Sequence, residues 1–235
     1  MTAPARVGLI IPSSNRLVED EMVRWFPPDV HPHIARLRMT GPHRVPIDTL
    51  VARVEEAAGT LDDARCAAVV FHCTATSMDE GADGAQRLLA ALRRGARGTC
   101  VATATALLQA FAATGIRRVV LVTPYDRATT DHEAAFLRDA GIEVVQSVAM
   151  DRGGSDGFAA TPPQFWYDTV RGAAHPDADG YFLSCANIAC FEQIEPLEAA
   201  LDRPMITSNQ AVLWWALRAI RKGDRPRLGR LFDTA

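Results

Sequence analysis

The chain has 235 residues, 48% hydrophobic and 23% charged, enough to bury one large core or two modest ones and too apolar for a disordered chain. Its formal net charge is -3 and no Lys/Arg cluster is interleaved with aromatics, which argues against nucleic acid and against an anionic membrane surface and favours a small-molecule or protein partner. No apolar run reaches the roughly 18 to 20 residues that a membrane helix needs, and "MTAPARVGLIIPSSN" reads as a short polar lead into a strand, so a cytoplasmic protein is expected.

In chain order, strand signals fall at "RVGLII", "HIARLRM", "AAVVFH", "TCVAT", "RRVVLVT", "IEVVQSV", "DGYFLS" and "PMIT", with helical patterns between them. This alternation predicts βαβ units and parallel sheets. "HPH" at 31–33 lies at a strand entrance and reads as surface rather than a metal site. "TTDHEAAFLRDAG" has Thr130 and Glu133 at capping-box spacing, with Gly141 as the terminator. "GGSDG" at 153–157 reads as a mobile loop, followed by a helix that opens on Thr161 with prolines in its first turn. The last helix, "SNQAVLWWALRAIRKG", is expected to start on Ser208 or Asn209 and stop at Gly223. Its apolar face, "AVLWWALRAI", reads as core packing and leaves a homo-oligomer open.

The order of elements repeats. "VGLIIPSSN" and "VVLVTPYDR" place Pro12 and Pro124 at the ends of corresponding strands, 112 residues apart; "FHC" and "LSC" place Cys73 and Cys185 at the same offset. One shared offset linking two strand-end motifs predicts a duplicated α/β architecture of two pseudo-symmetric halves, residues 1–115 and 116–235, each with about four parallel strands. The C-terminal helix or tail is allowed to pack back on the first half. Ligands of open parallel sheets bind beyond the carboxyl ends of the strands, so both cysteines are expected on one cleft between the halves.

A thiol becomes a base, acid or nucleophile once helix N-termini or hydrogen-bond donors favour its thiolate, and both cysteines are expected just before helices. His72 is a weak base candidate, because alternation along a strand sends neighbouring side chains to opposite faces. Cys66, Cys100 and Cys190 read as buried structural residues, the last on the helix after Cys185. Five cysteines without a CxxC pair or a zinc spacing argue against disulfides and a structural metal. Ser13, Ser14, Asn15, Thr74, Thr76 and Tyr125 supply hydroxyls and an amide suited to a carboxylate; for Ser14 and Thr76, ordinary turn chemistry explains the residue slightly better. No GxGxxG, P-loop, HExxH or GxSxG motif occurs, which disfavours a nucleotide or nicotinamide cofactor.

The segments "GLIIPSSN", "HCTATS", "VTPYDR", "LSCANI", "MITSNQAVLWWALR" and "GRLFD" resemble the maleate cis-trans isomerase and arylmalonate decarboxylase branch of the Asp/Glu racemase superfamily. The resemblance implies two flavodoxin-like (Rossmann-like) halves, no cofactor, no metal, and a small carboxylate or dicarboxylate as substrate. It implies catalytic roles for Cys73 and Cys185, and substrate contacts from Asn15, Ser13, Thr74, Ala75, Tyr125 and Ala186. Decarboxylases of this branch carry glycine in place of Cys73, and serine and glycine in place of Ala75 and Ala186. Maleate isomerases resemble this chain in having both cysteines, but place an asparagine where Ser155, Asp156 or Gly157 stands. The ranking implied is a cofactor-independent isomerase first, an arylmalonate-type decarboxylase or an Asp/Glu/hydantoin-type racemase next, and a carboxylate-binding module last.

Overall fold

A computed structural model describes residues 4–39, 45–79, 81–222 and 225–234. The first sheet has strands β1 (Ala5–Pro12), β2 (Val30–Leu37), β3 (Ala68–Phe71) and β4 (Thr99–Ala102), all parallel, in the order β2-β1-β3-β4. The second sheet repeats that order as β6-β5-β7-β8, from β5 (Arg118–Thr123), β6 (Glu143–Ala149), β7 (Gly180–Leu183) and β8 (Met205–Thr207). The protein is therefore a two-half α/β fold whose halves share one topology. The central strands are near-continuous apolar runs because helices cover both faces.

In the first half the helices are α1 (Val18–Met22), α2 (Ile47–Asp63), α3 (Thr74–Met78), α4 (Gly81–Gly95) and α5 (Thr103–Thr114). In the second they are α6 (Arg127–Asp139), α7 (Ser155–Ala160), α8 (Pro163–Gly172), α9 (Phe191–Leu201) and α10 (Ser208–Ala219). Among the described residues no helix is long and apolar enough to cross a membrane.

Strand alternation splits the core in two. Ile10, Val69 and Phe71 pack with Leu50, Val54, Leu88 and Leu92 on the outer face of the first sheet, while Val7, Leu9, Ile11 and Val70 point the other way and join the core of the second half. That larger core spans both halves. Helix α10 lies within it, with Ser208–Leu217 buried, and packs on α5, α1 and β3 of the first half. The Arg230–Asp233 turn also returns to α5. A buried carboxylate adds a polar tie: Glu21 of α1 accepts the backbone N–H groups of Cys190 (2.6 Å) and Phe191 at the start of α9.

Several local expectations are corrected. "HPH" is inside β2, an edge strand where Pro32 interrupts no central ladder. Asp126, not Thr130, caps α6 by accepting the Thr129 N–H at 2.8 Å, and Thr130 is buried inside the helix. Gly141 follows that helix with φ 83° as expected. Helix α8 starts without a side-chain cap, its proline at N1 serving instead, and Thr161 donates to the Gly157 carbonyl. Thr207 and Gln210 form the capping box of α10, which leaves Ser208 and Asn209 free for other work. Gly223 lies outside the described residues. Cys190 precedes α9 rather than lying on it, and that helix starts at Phe191, so Cys185 is followed by an irregular turn and not by a helix.

Candidate active site

The carboxyl ends of both sheets face one cavity of about 70 Å³. Cys73, Cys185, Asn15, Thr74, Ala75, Tyr125 and Ala186 all line it. Ser13 does not: its hydroxyl is bonded to the backbone of Met39, and the neighbouring Ser14 faces the cavity. Among the described residues no charged side chain lines it.

Cys73 ends the run of β3 and stands at the N-cap of α3. The first N–H groups of a helix have no partner within it, so the backbone after Cys73 presents donors toward the cavity. The thiol is 3.2 Å from the Thr76 hydroxyl. Its surroundings of low dielectric push its pKa up, while the Thr76 hydroxyl and N–H pull it back by favouring the thiolate. Cys73 remains partly exposed, so a ligand in the cavity can reach it.

Cys185 sits differently. Its backbone has φ 120°, a strained value for a residue with a side chain, and the following residues form a bent turn. The thiol is buried, and burial pushes its pKa up to about 12 despite a hydrogen bond from the Tyr125 hydroxyl and another from the Asn187 N–H at 3.2 Å. At neutral pH it is a protonated thiol with a proton to give. The two cysteines are close enough that charge on Cys73 raises Cys185 further.

The start of α10 braces both cysteine turns. The Ser208 hydroxyl accepts from Thr74 Oγ1 at 2.8 Å and from the Cys185 N–H at 3.2 Å, joining the two halves through one atom. Asn209 Oδ1 is 2.9 Å from His72 Nε2, and Thr103 Oγ1 is 3.0 Å from Nδ1. His72 is fully buried, and desolvation lowers its pKa to about 4, so it is a neutral strut outside the cavity. Asn15 is similarly engaged: Nδ2 donates to the Ala186 carbonyl across the cleft at 2.9 Å, and Oδ1 accepts from Leu17 and Val18.

The segment expected to be a mobile loop folds into α7 after Gly153 and Gly154, both at positive φ. Ser155 and Phe158 face the cavity, Ser155 bonding Ser14 at 3.2 Å and its carbonyl accepting from Asn187 at 2.9 Å. Asp156 turns outward to pair with Arg16. Asn187 and Phe158 escape sequence reasoning; Ser208 reads there only as a helix start, Ser155 only as one of three residues at the family's asparagine position, and Ser14 and Thr76 as turn residues. The only signal for Ser208 was a surplus of polar groups at the start of an otherwise apolar helix.

Two sheets of like topology, each presenting one cysteine to a shared cavity, define the class: a pseudo-symmetric α/β protein with a paired-thiol site. A family model described as arylmalonate decarboxylase matches residues 7–232, and the chain belongs to that family. It is 30% identical over 234 residues to arylmalonate decarboxylase of Bordetella bronchiseptica, with 97% of each chain covered. It is 23% identical over 243 aligned residues to maleate isomerase of Geobacillus stearothermophilus, again with 97% of each covered. Among solved structures, it matches a maleate isomerase of Pseudomonas putida determined with maleate at TM-score 0.88 and 26% identity, covering 98% of each chain. A glycine-to-cysteine mutant of arylmalonate decarboxylase matches at TM-score 0.88 and 30% identity, covering 97% of this chain and 99% of that one. The chain is thus an enzyme of the maleate isomerase and arylmalonate decarboxylase branch of the Asp/Glu racemase superfamily.

Proposed function

We propose that the protein isomerises a cis-enedioate of the maleate type to its trans isomer without a cofactor, with Cys73 as nucleophile and Cys185 as acid/base. The observation that carries this reading is the pair of cysteines, one from each half, on one small cavity. The Cys73 thiolate adds to one carbon of the double bond, and the displaced π electrons pass into the adjacent carboxylate as an enolate-like state. Cys185 gives its proton to the carbanionic carbon. The former double bond, now single, rotates; Cys185 takes the proton back, and elimination restores the Cys73 thiolate and releases the trans acid.

Binding of the carboxylates falls to neutral donors: the N–H groups opening α3, the hydroxyls of Ser14 and Tyr125, and the turn at Ala186. Asn15 serves by fixing that turn through the Ala186 carbonyl. Asp156, paired with Arg16 outside the cavity, does not oppose an anion within it. The two halves that share the work are residues 1–115 and 116–235, and the substrate is a small carboxylic acid.

The match to arylmalonate decarboxylase favours a second reading. There Cys185 protonates an enediolate after carbon dioxide leaves, and Cys73 has no covalent part. Incubating the purified protein with maleate in heavy water and following fumarate by proton NMR separates the two. Fumarate formation without added cofactor supports the isomerase; no fumarate, with carbon dioxide released from a substituted malonate, overturns it.

A further inference from the structure

A carboxylic side chain lies behind the cavity wall. Glu133, on α6, is 1% exposed, and neither carboxyl oxygen has a hydrogen-bond partner of normal geometry. Beside it is the Ser184 hydroxyl, equally buried and also without such a bond, on the residue that leads into Cys185. Two adjacent buried orphans are satisfied together if the carboxyl is protonated and donates to the hydroxyl. The same site is hostile to a carboxylate. Among the described residues Glu133 has no ion-pair partner. Among the described residues the titratable groups around it are Asp79 from the end of α3, Cys73 from its start, Tyr125 after β5 and Cys185 after β7, none of them a cation. From β6, which also packs on α6, the only titratable residue is Glu143, at the strand's amino end. On α6 itself Arg127, Asp131, His132, Arg138 and Asp139 are exposed, with Arg127 and Asp131 paired.

We propose that Glu133 is a positioning residue of this site: a neutral carboxylic acid that steadies the Ser184–Cys185 turn, and whose deprotonation disables the cleft. The strained φ of Cys185 needs surrounding contacts to hold it, and Ser184 is the link between that backbone and α6. When the Glu133 O–H bond breaks and the proton leaves for solvent, a negative charge remains that bears on Cys73, Cys185 and Tyr125 at once. That charge opposes the Cys73 thiolate and, on the carboxylate-substrate reading above, the substrate as well. Burial raises the Glu133 carboxyl to about 8, opposed by the Ser184 hydroxyl, which can also donate to a carboxylate, and reinforced by the charge of Asp79; the transition then falls just above neutrality.

The direct test is infrared spectroscopy of the wild-type protein from pH 6 to 10. A protonated-carboxyl C=O band should persist at pH 7, where ordinary carboxylates are ionised, and disappear with a midpoint near 8. Absence of the band at pH 7 overturns the proposal, whatever reaction the enzyme catalyses. Glu133→Gln, which cannot ionise but can still bond Ser184, supplies the second readout. The ratio of kcat/KM at pH 9 to that at pH 7 should rise about ten-fold over wild type, as expected for removing an inactivating ionisation near 8. A pH profile superimposable on wild type refutes the functional role. If the variant does not fold, the infrared band of the wild type still decides the protonation state on which the role depends.

Discussion

The two cysteines occupy equivalent places in equivalent sheets, yet their surroundings differ. Cys73 meets a helix start, the Thr76 hydroxyl at 3.2 Å and an opening to the cavity. Cys185 meets a bent turn at φ 120°, full burial and the Tyr125 hydroxyl. The duplicated scaffold fixes where two thiols stand, and the few residues after each strand decide what each thiol can do. In the proposed mechanism one attacks and the other holds a proton until it is needed.

Substitutions that treat the two sites unequally expose this division of labour. Cys73→Gly should remove isomerisation altogether, a loss at least as large as the roughly 10³-fold or greater effects seen when a nucleophile is deleted, measured as fumarate formed from maleate. Retained isomerase activity would break the comparison. Cys185→Ser keeps the shape but replaces the thiol by a far weaker acid, and should lower kcat by about 10²- to 10⁴-fold while leaving alkylation of Cys73 by iodoacetamide intact. Tyr125→Phe deletes the donor to Cys185 and should cost about 10²-fold in kcat, with a smaller change in KM. Thr76→Val touches only the Cys73 side. Loss of the hydroxyl donor should raise the Cys73 pKa further and slow its alkylation at pH 8 by about five-fold, since one hydrogen bond is worth about 1 kcal/mol. Equal effects of Thr76→Val on both thiols would show that the environments are not separable.

Much of the architecture was legible in the sequence because it is written twice. The shared offset of Pro12 with Pro124 and of Cys73 with Cys185 points to two sheets with one strand order, and both sheets have it. The same repeat misleads about detail. It suggests a helix after each cysteine, whereas "ANIAC" runs as an irregular turn held by Asn187 and Glu21, contacts made by residues far apart in sequence. Local spacing also misleads where one residue type serves two purposes. Thr130 and Glu133 have capping-box spacing, but Asp126 captures the helix start and Glu133 turns inward. Ser208 and Asn209 look like helix caps, but Thr207 takes that role and releases them to brace the strand ends of both halves. Side chains that act across the cleft leave no local periodicity, so tertiary structure alone brings them into view.

The division of roles is tested most directly by trapping the adduct. Cys185→Ser is incubated with maleate, acid-quenched, digested and analysed by mass spectrometry. The account requires one maleate equivalent on the peptide carrying Cys73, absent when Cys73 is also replaced by glycine. An unmodified Cys73 peptide in a protein that still forms fumarate would contradict it.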